Sequence, residues 1–264
     1  MSGLGQHQAR KRFGQNFLND QGVIADIITA IAPQPDDFMV EIGPGLAAMT
    51  APLLEIVKPL HVVEIDRDLI ARLRQRFPAE QLIIHEGDAL EFDFTQLAQT
   101  PPRRKLRVVG NLPYNISTPL LFHLSAAVDD VRDMHFMLQK EVVERMVATP
   151  GSAEYGRLSV MLQYRYAMEL LFIVPPTAFT PPPKIDSAIV RLQPLPAAAR
   201  TAHDETRFAE IVTAAFGQRR KMLRNTLRTW FSESDLQSLG IAATARAEEL
   251  AVADFVRLSN ALPT

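Results

Sequence analysis

Three features of this sequence predict an α/β fold built on a doubly wound sheet. Short β-branched runs alternate with amphipathic stretches, a glycine turn follows directly on the first buried run, and two late apolar runs are joined by a loop too short for a crossover helix. In chain order, Asn19 or Asp20 is placed to cap a helix whose apolar face is Val23, Ile24, Ile27, Ile28 and Ile31. The runs Phe38 to Ile42, His61 to Ile65, Leu82 to His85, Leu106 to Val109 and Met134 to Leu138 read as buried parallel strands separated by helices. Leu170 to Val174 and Ala188 to Leu192 follow, linked through Pro175, Pro176, Pro181, Pro182 and Pro183, and are expected to form an antiparallel pair at one edge. Seven strands with a reversed closing hairpin fit the Rossmann-like class I methyltransferase sheet, as they fit other doubly wound enzymes, so residues of the site must choose.

Pro194 and Pro196, followed by Ala197 to Ala199, read as a linker. The expected division is therefore a sheet domain over 1–197, with a basic segment at 1–19, and a small all-α domain over 198–264. In the latter, Phe208, Ile211, Val212 and Ala215 mark one helix, broken at Gly217. Met222, Leu223, Leu227 and Trp230 mark a second, on which Arg220, Arg224 and Arg228 fall on one face.

The chain has 264 residues, 47% of them hydrophobic, enough for one substantial core and a small appendage. It has no cysteine, which removes disulfides, thiolate metal sites and cysteine nucleophiles, and points to a reducing, cytoplasmic setting; no metal is expected. No apolar run is long enough to span a membrane, and no apolar core follows the basic start. A net charge of −2 and a pI near 6.3 give no bulk signal for a nucleic-acid partner. That signal is confined to Arg10-Lys11-Arg12, to Arg103-Arg104-Lys105 with Arg107, and to Arg219-Arg220-Lys221 with Arg224 and Arg228, each of which also reads as a solvated face.

The first strand runs into Glu41-Ile42-Gly43-Pro44-Gly45-Leu46-Ala47-Ala48, a turn that brings a ligand close to the backbone. Gly43, Gly45 and Ala48 also satisfy the dinucleotide pattern, and Glu64 stands where a ribose-binding acid belongs, so a nicotinamide-dependent oxidoreductase is open at this point. Gly87-Asp88-Ala89, after the third strand, supplies a further acid that can read an adenine amine or cap a helix.

The fourth strand ends in Asn111-Leu112-Pro113-Tyr114. An adenine amine is a poor nucleophile because its lone pair is delocalised into the ring. Two acceptors on its two N–H bonds favour a pyramidal nitrogen, and Asn111 Oδ1 with the Leu112 carbonyl can supply them. Pro113 keeps Leu112 extended and offers no competing N–H, while Tyr114 can stack on the base. In isolation, the same four residues also describe a simple turn. A second aromatic, Phe179, heads Phe179-Thr180-Pro181-Pro182-Pro183-Lys184, where it can sandwich the base or pack in the core, and Lys184 can meet a phosphate.

With these residues in hand, the sequence resembles the ribosomal RNA adenine dimethyltransferase family, its bacterial small-subunit branch above all. The likeness runs through Arg12 to Leu18, Glu41 to Gly45, Asn111 to Ser117, Gln139 to Val142, Tyr155 to Ser159, Phe179 to Ser187, and Gln218 to Lys221. It implies an S-adenosylmethionine pocket bordered by Asn16, Leu18, Gly43, Gly45, Glu64, Asp88, Ala89 and Asn111, with Asn111 also reaching the target amine. Tyr114 and Phe179 would flank the adenine. The implied activity is dimethylation of two neighbouring adenines near the 3′ end of 16S RNA within the 30S subunit, by a monomer with a role in subunit biogenesis. Arg10, Lys11, Arg12, Lys184, Arg219, Arg220, Lys221, Arg224 and Arg228 are the expected RNA contacts. A ribosome-assembly factor whose main work is binding is the alternative. One departure from many methyltransferases is Ala47, where a third glycine is common; its methyl is expected to crowd the helix start only slightly.

Overall fold

A computed structural model describes residues 16–218 and 220–262. The elements in chain order are β1 (Phe17–Leu18), α1 (Gln21–Ile31), β2 (Phe38–Ile42), α2 (Thr50–Ile56), β3 (Leu60–Glu64), α3 (Arg67–Arg76), β4 (Leu82–Glu86), α4 (Phe94–Ala98), β5 (Leu106–Asn111), α5 (Ser117–Leu124), β6 (Val131–Gln139), α6 (Lys140–Val147), α7 (Arg157–Gln163), β7 (Tyr166–Val174), β8 (Phe179–Thr180), β9 (Ser187–Pro194), α8 (Glu205–Phe216), α9 (Leu223–Thr226), α10 (Glu233–Ser238) and α11 (Val252–Asn260). Asp20 caps α1, its Oδ1 accepting from Gly22 and Val23 N–H, as the sequence suggests.

The main sheet has seven strands in the order β4-β3-β2-β5-β6-β9-β7, and every strand expected from the sequence is present. The pairs β2–β3, β2–β5, β3–β4 and β5–β6 are parallel, and β9 lies antiparallel to β6. From β2 the chain winds outward through β3 to β4, then returns to lay β5 on the other side of β2. This reversal opens a crevice at the carboxyl ends of β2 and β5, the place where open α/β sheets bind ligands.

One of the basic clusters holds the sheet together instead of facing a partner. Arg107 is buried in β5; its Nε reaches Asp133 at 2.9 Å, one terminal nitrogen reaches Asp37 at 2.5 Å, and the other reaches the Ile31 carbonyl at 2.6 Å. It thereby joins β5 and β6 and satisfies a carbonyl at the C-terminus of α1, where the backbone turns left-handed at Ala32 (φ 47°). Arg104 donates to the Asp36 carbonyl and covers the Phe38 ring, and Arg103 pairs with Asp130. Of this run only Arg107 is thereby taken from the surface; Arg103, Arg104 and Lys105 remain exposed, in keeping with the solvated-face reading.

The chain divides into two compact units. The first runs to Val143 and takes in Glu169–Gln193; the second comprises Glu144–Met168 and the chain from Pro194 on. The second unit therefore includes α7, which the sequence reading had grouped with the sheet. Its aromatic end explains why: Tyr164 lies 4.5 Å from Phe208 of α8, ring centre to ring centre, and Tyr155 donates to the Leu250 carbonyl.

The long basic helix expected around Arg220 is not formed. Gly217, Gln218, Arg220 and Lys221 are turn or bend, Met222 is extended (φ −70°, ψ 155°), and α9 is only Leu223–Thr226. Leu223 and Arg224 give their N–H groups to the carbonyls of Ala245 and Ala243, so tertiary partners take the bonds that a longer helix would need. Arg220, Lys221, Arg224 and Arg228 are exposed but share no helical face, and Arg224 is paired with Glu233 at 3.4 Å. Arg10, Lys11, Arg12 and Arg219 lie outside the described residues.

Candidate active site at the carboxyl edge of the sheet

The turn after β2 is made by Gly43 (φ 67°) and Gly45 (φ 57°), both in the region that favours glycine. Ala47 follows with φ 68°, fixed by its N–H to the Pro44 carbonyl at 2.8 Å. A side chain in this conformation costs about 1–2 kcal/mol, so the third position of the turn carries backbone strain where only crowding was expected. The turns after β2 and β4 are tied to β3, which lies between those strands: Gly43 N–H donates to Val63 O, and Gly87 N–H to Glu64 O.

Beside this turn, β2 and β5 come unusually close. Ile42 is paired with Gly110, and a Cβ at Gly110 would lie 2.7 Å from the Ile42 carbonyl oxygen and 2.9 Å from the Leu112 side chain. Only a residue without a side chain lets Asn111 emerge next to the glycine turn.

A cavity of about 300 Å³ occupies the crevice. Asn16, Leu18, Gly43, Gly45, Glu64, Asp88, Ala89, Asn111, Leu112, Pro113 and Tyr114 all line it, so segments far apart in sequence meet as expected. Glu64, at the end of β3, is buried and accepts main-chain N–H bonds from Ile65, Asp66 and Gly45. Burial raises its pKa and these bonds oppose the rise. Asp88 uses Oδ1 on the Leu90 N–H at 2.9 Å and, among the described residues, leaves Oδ2 unbonded.

The Asn111 amide has a defined orientation. Its Nδ2 donates to the Asn16 carbonyl at 3.2 Å, and because a carbonyl only accepts, the group facing Asn16 must be the NH₂. Oδ1 is thus turned the other way and takes no hydrogen bond among the described residues. Leu112 donates its N–H to the Met137 carbonyl at 3.2 Å, and its own carbonyl is likewise without a donor among the described residues. Two oxygen acceptors, on consecutive residues that line the cavity, are therefore left unbonded among the described residues. Tyr114 lies alongside, its hydroxyl 2.8 Å from Ser187 Oγ.

Asn16 itself is held by the small sheet β1–β8, in which Phe17 faces Thr180 and Leu18 faces Phe179, reinforced by Asn19 N–H to the Ala178 carbonyl at 2.9 Å. That pairing also decides Phe179. Its side chain is 3% exposed, packs in the core with Leu18, Ile24 and Ala178, and does not line the cavity. As placed, it has no free face for a base, and that expectation is corrected to core packing. Lys184 is exposed on the proline loop.

Glu41, which the sequence places at the head of the glycine turn without assigning it a role, also lines the cavity. It is 1% exposed, and Thr50 Oγ1 donates to its Oε2 at 2.6 Å. Burial pushes its pKa up to about 7, with the Thr50 bond opposing and Glu64 adding to the rise. The available signal was an acid in the middle of an otherwise apolar strand.

The sequence profile described as "Ribosomal RNA adenine dimethylase" matches residues 6–263. Ribosomal RNA small subunit methyltransferase A of Aromatoleum aromaticum is 63% identical over 257 residues, covering 97% of this chain and 95% of that protein. The protein of the same name from Ralstonia nicotianae is 62% identical, covering 99% and 93%. Among solved structures, a dimethyladenosine transferase from Plasmodium falciparum superposes with a TM-score of 0.77 at 26% identity, covering 92% of this chain and 95% of that one. The 23S rRNA methyltransferase ErmE superposes with a TM-score of 0.68 at 25% identity, covering 92% and 98%. With the paired acceptors of Asn111 and Leu112 set beside a glycine turn on this sheet, and a family match over almost its whole length, the chain belongs to the ribosomal RNA adenine dimethylases.

Proposed function

We propose that this protein dimethylates the exocyclic amines of two neighbouring adenines near the 3′ end of 16S ribosomal RNA in the 30S subunit, with S-adenosylmethionine as methyl donor. The observation that carries the reading is the pair of unbonded oxygens, Asn111 Oδ1 and Leu112 O, on one wall of the cavity that Glu64 and the glycine turn help to line.

The residues present fit the donor. A carboxylate has about four acceptor positions; at Glu64 main-chain bonds from Ile65, Asp66 and Gly45 fix the group and leave capacity for a ribose hydroxyl. Gly43 and Gly45 keep side chains out of the cradle, and Asp88 Oδ2 with Ala89 suits the rim of an adenine. When bound, S-adenosylmethionine supplies an electrophilic methyl on a sulfonium.

The chain's own work is positioning. Asn111 Oδ1 and Leu112 O accept the two N–H bonds of the target amine and turn its lone pair outward, and Tyr114 offers its ring to the base. Methylation makes the amine more acidic, so its proton leaves without a strong protein base. Lys184, Arg220, Lys221 and Arg228, all exposed, are proposed to meet RNA phosphates, as are Arg10, Lys11, Arg12 and Arg219 outside the described residues. Arg224 contributes there only if it gives up Glu233. Among the described residues no helix is long and apolar enough to cross a membrane; the proposed setting is the cytoplasm and the proposed state a monomer, as the family resemblance implies.

Asn111→Ala tests the reading. Transfer of labelled methyl to undermethylated small subunits is expected to fall by more than about 100-fold, while subunit binding stays within about twofold. Undiminished transfer refutes the assignment, and lost binding favours a role mainly in assembly.

A further inference from the structure

The phenolic tip of Tyr114 is hydrogen-bonded to a residue of β9, outside the reacting loop. The backbone around it is already fixed: Ile116 N–H donates to the Pro113 carbonyl at 3.1 Å, and Ser117 Oγ to the Tyr114 carbonyl at 3.1 Å. The ring is not fixed by these bonds, because rotation about its side-chain torsions leaves them untouched. Among the described residues its only hydrogen-bond partner beyond the main chain is Ser187 Oγ, at 2.8 Å.

Ser187 is well suited to hold it. It is 0% exposed, begins β9, and sits opposite Gln139 of β6 in the main sheet. The chain just before it is anchored as well, by Lys140 N–H to the Asp186 carbonyl at 3.0 Å. The loop is therefore fastened at two places to neighbouring strands, at Leu112 through the Met137 carbonyl and at Tyr114 through Ser187. Burial raises the Tyr114 pKa, which keeps its hydroxyl protonated at neutral pH and the link intact. Ser187 does not line the cavity, so it can act only through the ring it holds.

We propose that Ser187 is a positioning residue for methyl transfer, its Oγ fixing the Tyr114 hydroxyl and with it the tilt of the ring on which the target adenine rests. The inference depends on the reading of the site given above. Small errors in the angle of a stacked base displace its amine from both acceptors, and the cost falls on turnover, not on donor binding.

The test compares Ser187→Ala, Ser187→Cys, Tyr114→Phe and the Ser187→Ala/Tyr114→Phe double variant in the methyl-transfer assay, with thermal unfolding of each. Ser187→Ala and Tyr114→Phe are each expected to lower kcat about tenfold, the loss of one buried hydrogen bond, with KM for S-adenosylmethionine changed less than about twofold. The double variant is expected to be no slower than either single one, because both remove the same link. Ser187→Cys restores volume with a weak hydrogen-bonding group and is expected to behave like the alanine variant while unfolding at the parent temperature. Parental kcat in Ser187→Ala, recovery in Ser187→Cys, or multiplied losses in the double variant would overturn the proposal. A parent protein that transfers no methyl overturns the reading of the site, and this inference with it.

Discussion

Replacing Glu41 by Gln removes an ionisable group from the wall of the cavity while keeping an oxygen for the Thr50 hydroxyl. In the unfolded chain the carboxyl titrates near its ordinary 4.5, in the folded protein near about 7. A folded pKa above the unfolded one means that the folded state holds the proton more tightly. This contribution is complete below pH 4.5, declines as pH rises, and is lost by about pH 7. At about 1.4 kcal/mol per pH unit, the change over that window is about 3 kcal/mol. Two buried histidines run the other way: His61 and His135 are held down to about 4 by burial, and stability rises with pH as they lose protons in the unfolded chain. The stability of the parent alone therefore mixes opposing slopes. The difference between Glu41→Gln and parent cancels the histidines, and is expected to shift in favour of the variant by about 3 kcal/mol between pH 4.5 and pH 8. Urea unfolding at intervals of pH measures it. A difference that stays constant with pH would refute the account, because it would mean that Glu41 titrates alike in the folded and unfolded protein.

Two further outcomes are expected. Arg107→Ala leaves Asp133 buried without its arginine and Asp37 with only the more exposed Arg132, and is expected to cost about 3–5 kcal/mol in urea unfolding; a loss under about 1 kcal/mol would mean that Arg132 and main-chain donors suffice for these carboxylates. Gly110→Ala puts a methyl against the Ile42 carbonyl and is expected to cost about 1–3 kcal/mol and to lower methyl transfer by moving Asn111, whereas parental stability and rate together would show that the β2–β5 approach is not tight.

The seven strands could be read in the sequence because each is a short, largely apolar run, β-branched in all but Met134 to Leu138, and the glycine turn because it follows such a run directly. The acceptor loop was legible for the same reason, Asn111 closing a strand and Pro113 dictating the backbone before it. What escaped depended on partners far along the chain. Arg107 looks like part of a surface cluster until Asp37 and Asp133 are brought to it, although its place inside the run Leu106 to Val109 was a warning. The spacing of Arg220, Arg224 and Arg228 is helical, but the carbonyls of Ala243 and Ala245 claim the N–H groups of Arg224 and Leu223. Phe179 carries the right chemistry for stacking, yet pairing with Leu18 turns it into the core. Ser187 closes the likeness segment Phe179 to Ser187, but nothing in its neighbours along the chain points to Tyr114.

The order of strands in the sheet also sets an order in time. The walls contributed by β2, β3 and the end of β5 have all been synthesised once residue 111 has left the ribosome, whereas Met137, Ala178 and Ser187, which fasten the reacting loop and the strap bearing Asn16, emerge later. In synthesis from the N-terminus the walls are thus made before the bonds that fasten them, the last of which arrives with β9, antiparallel to β6.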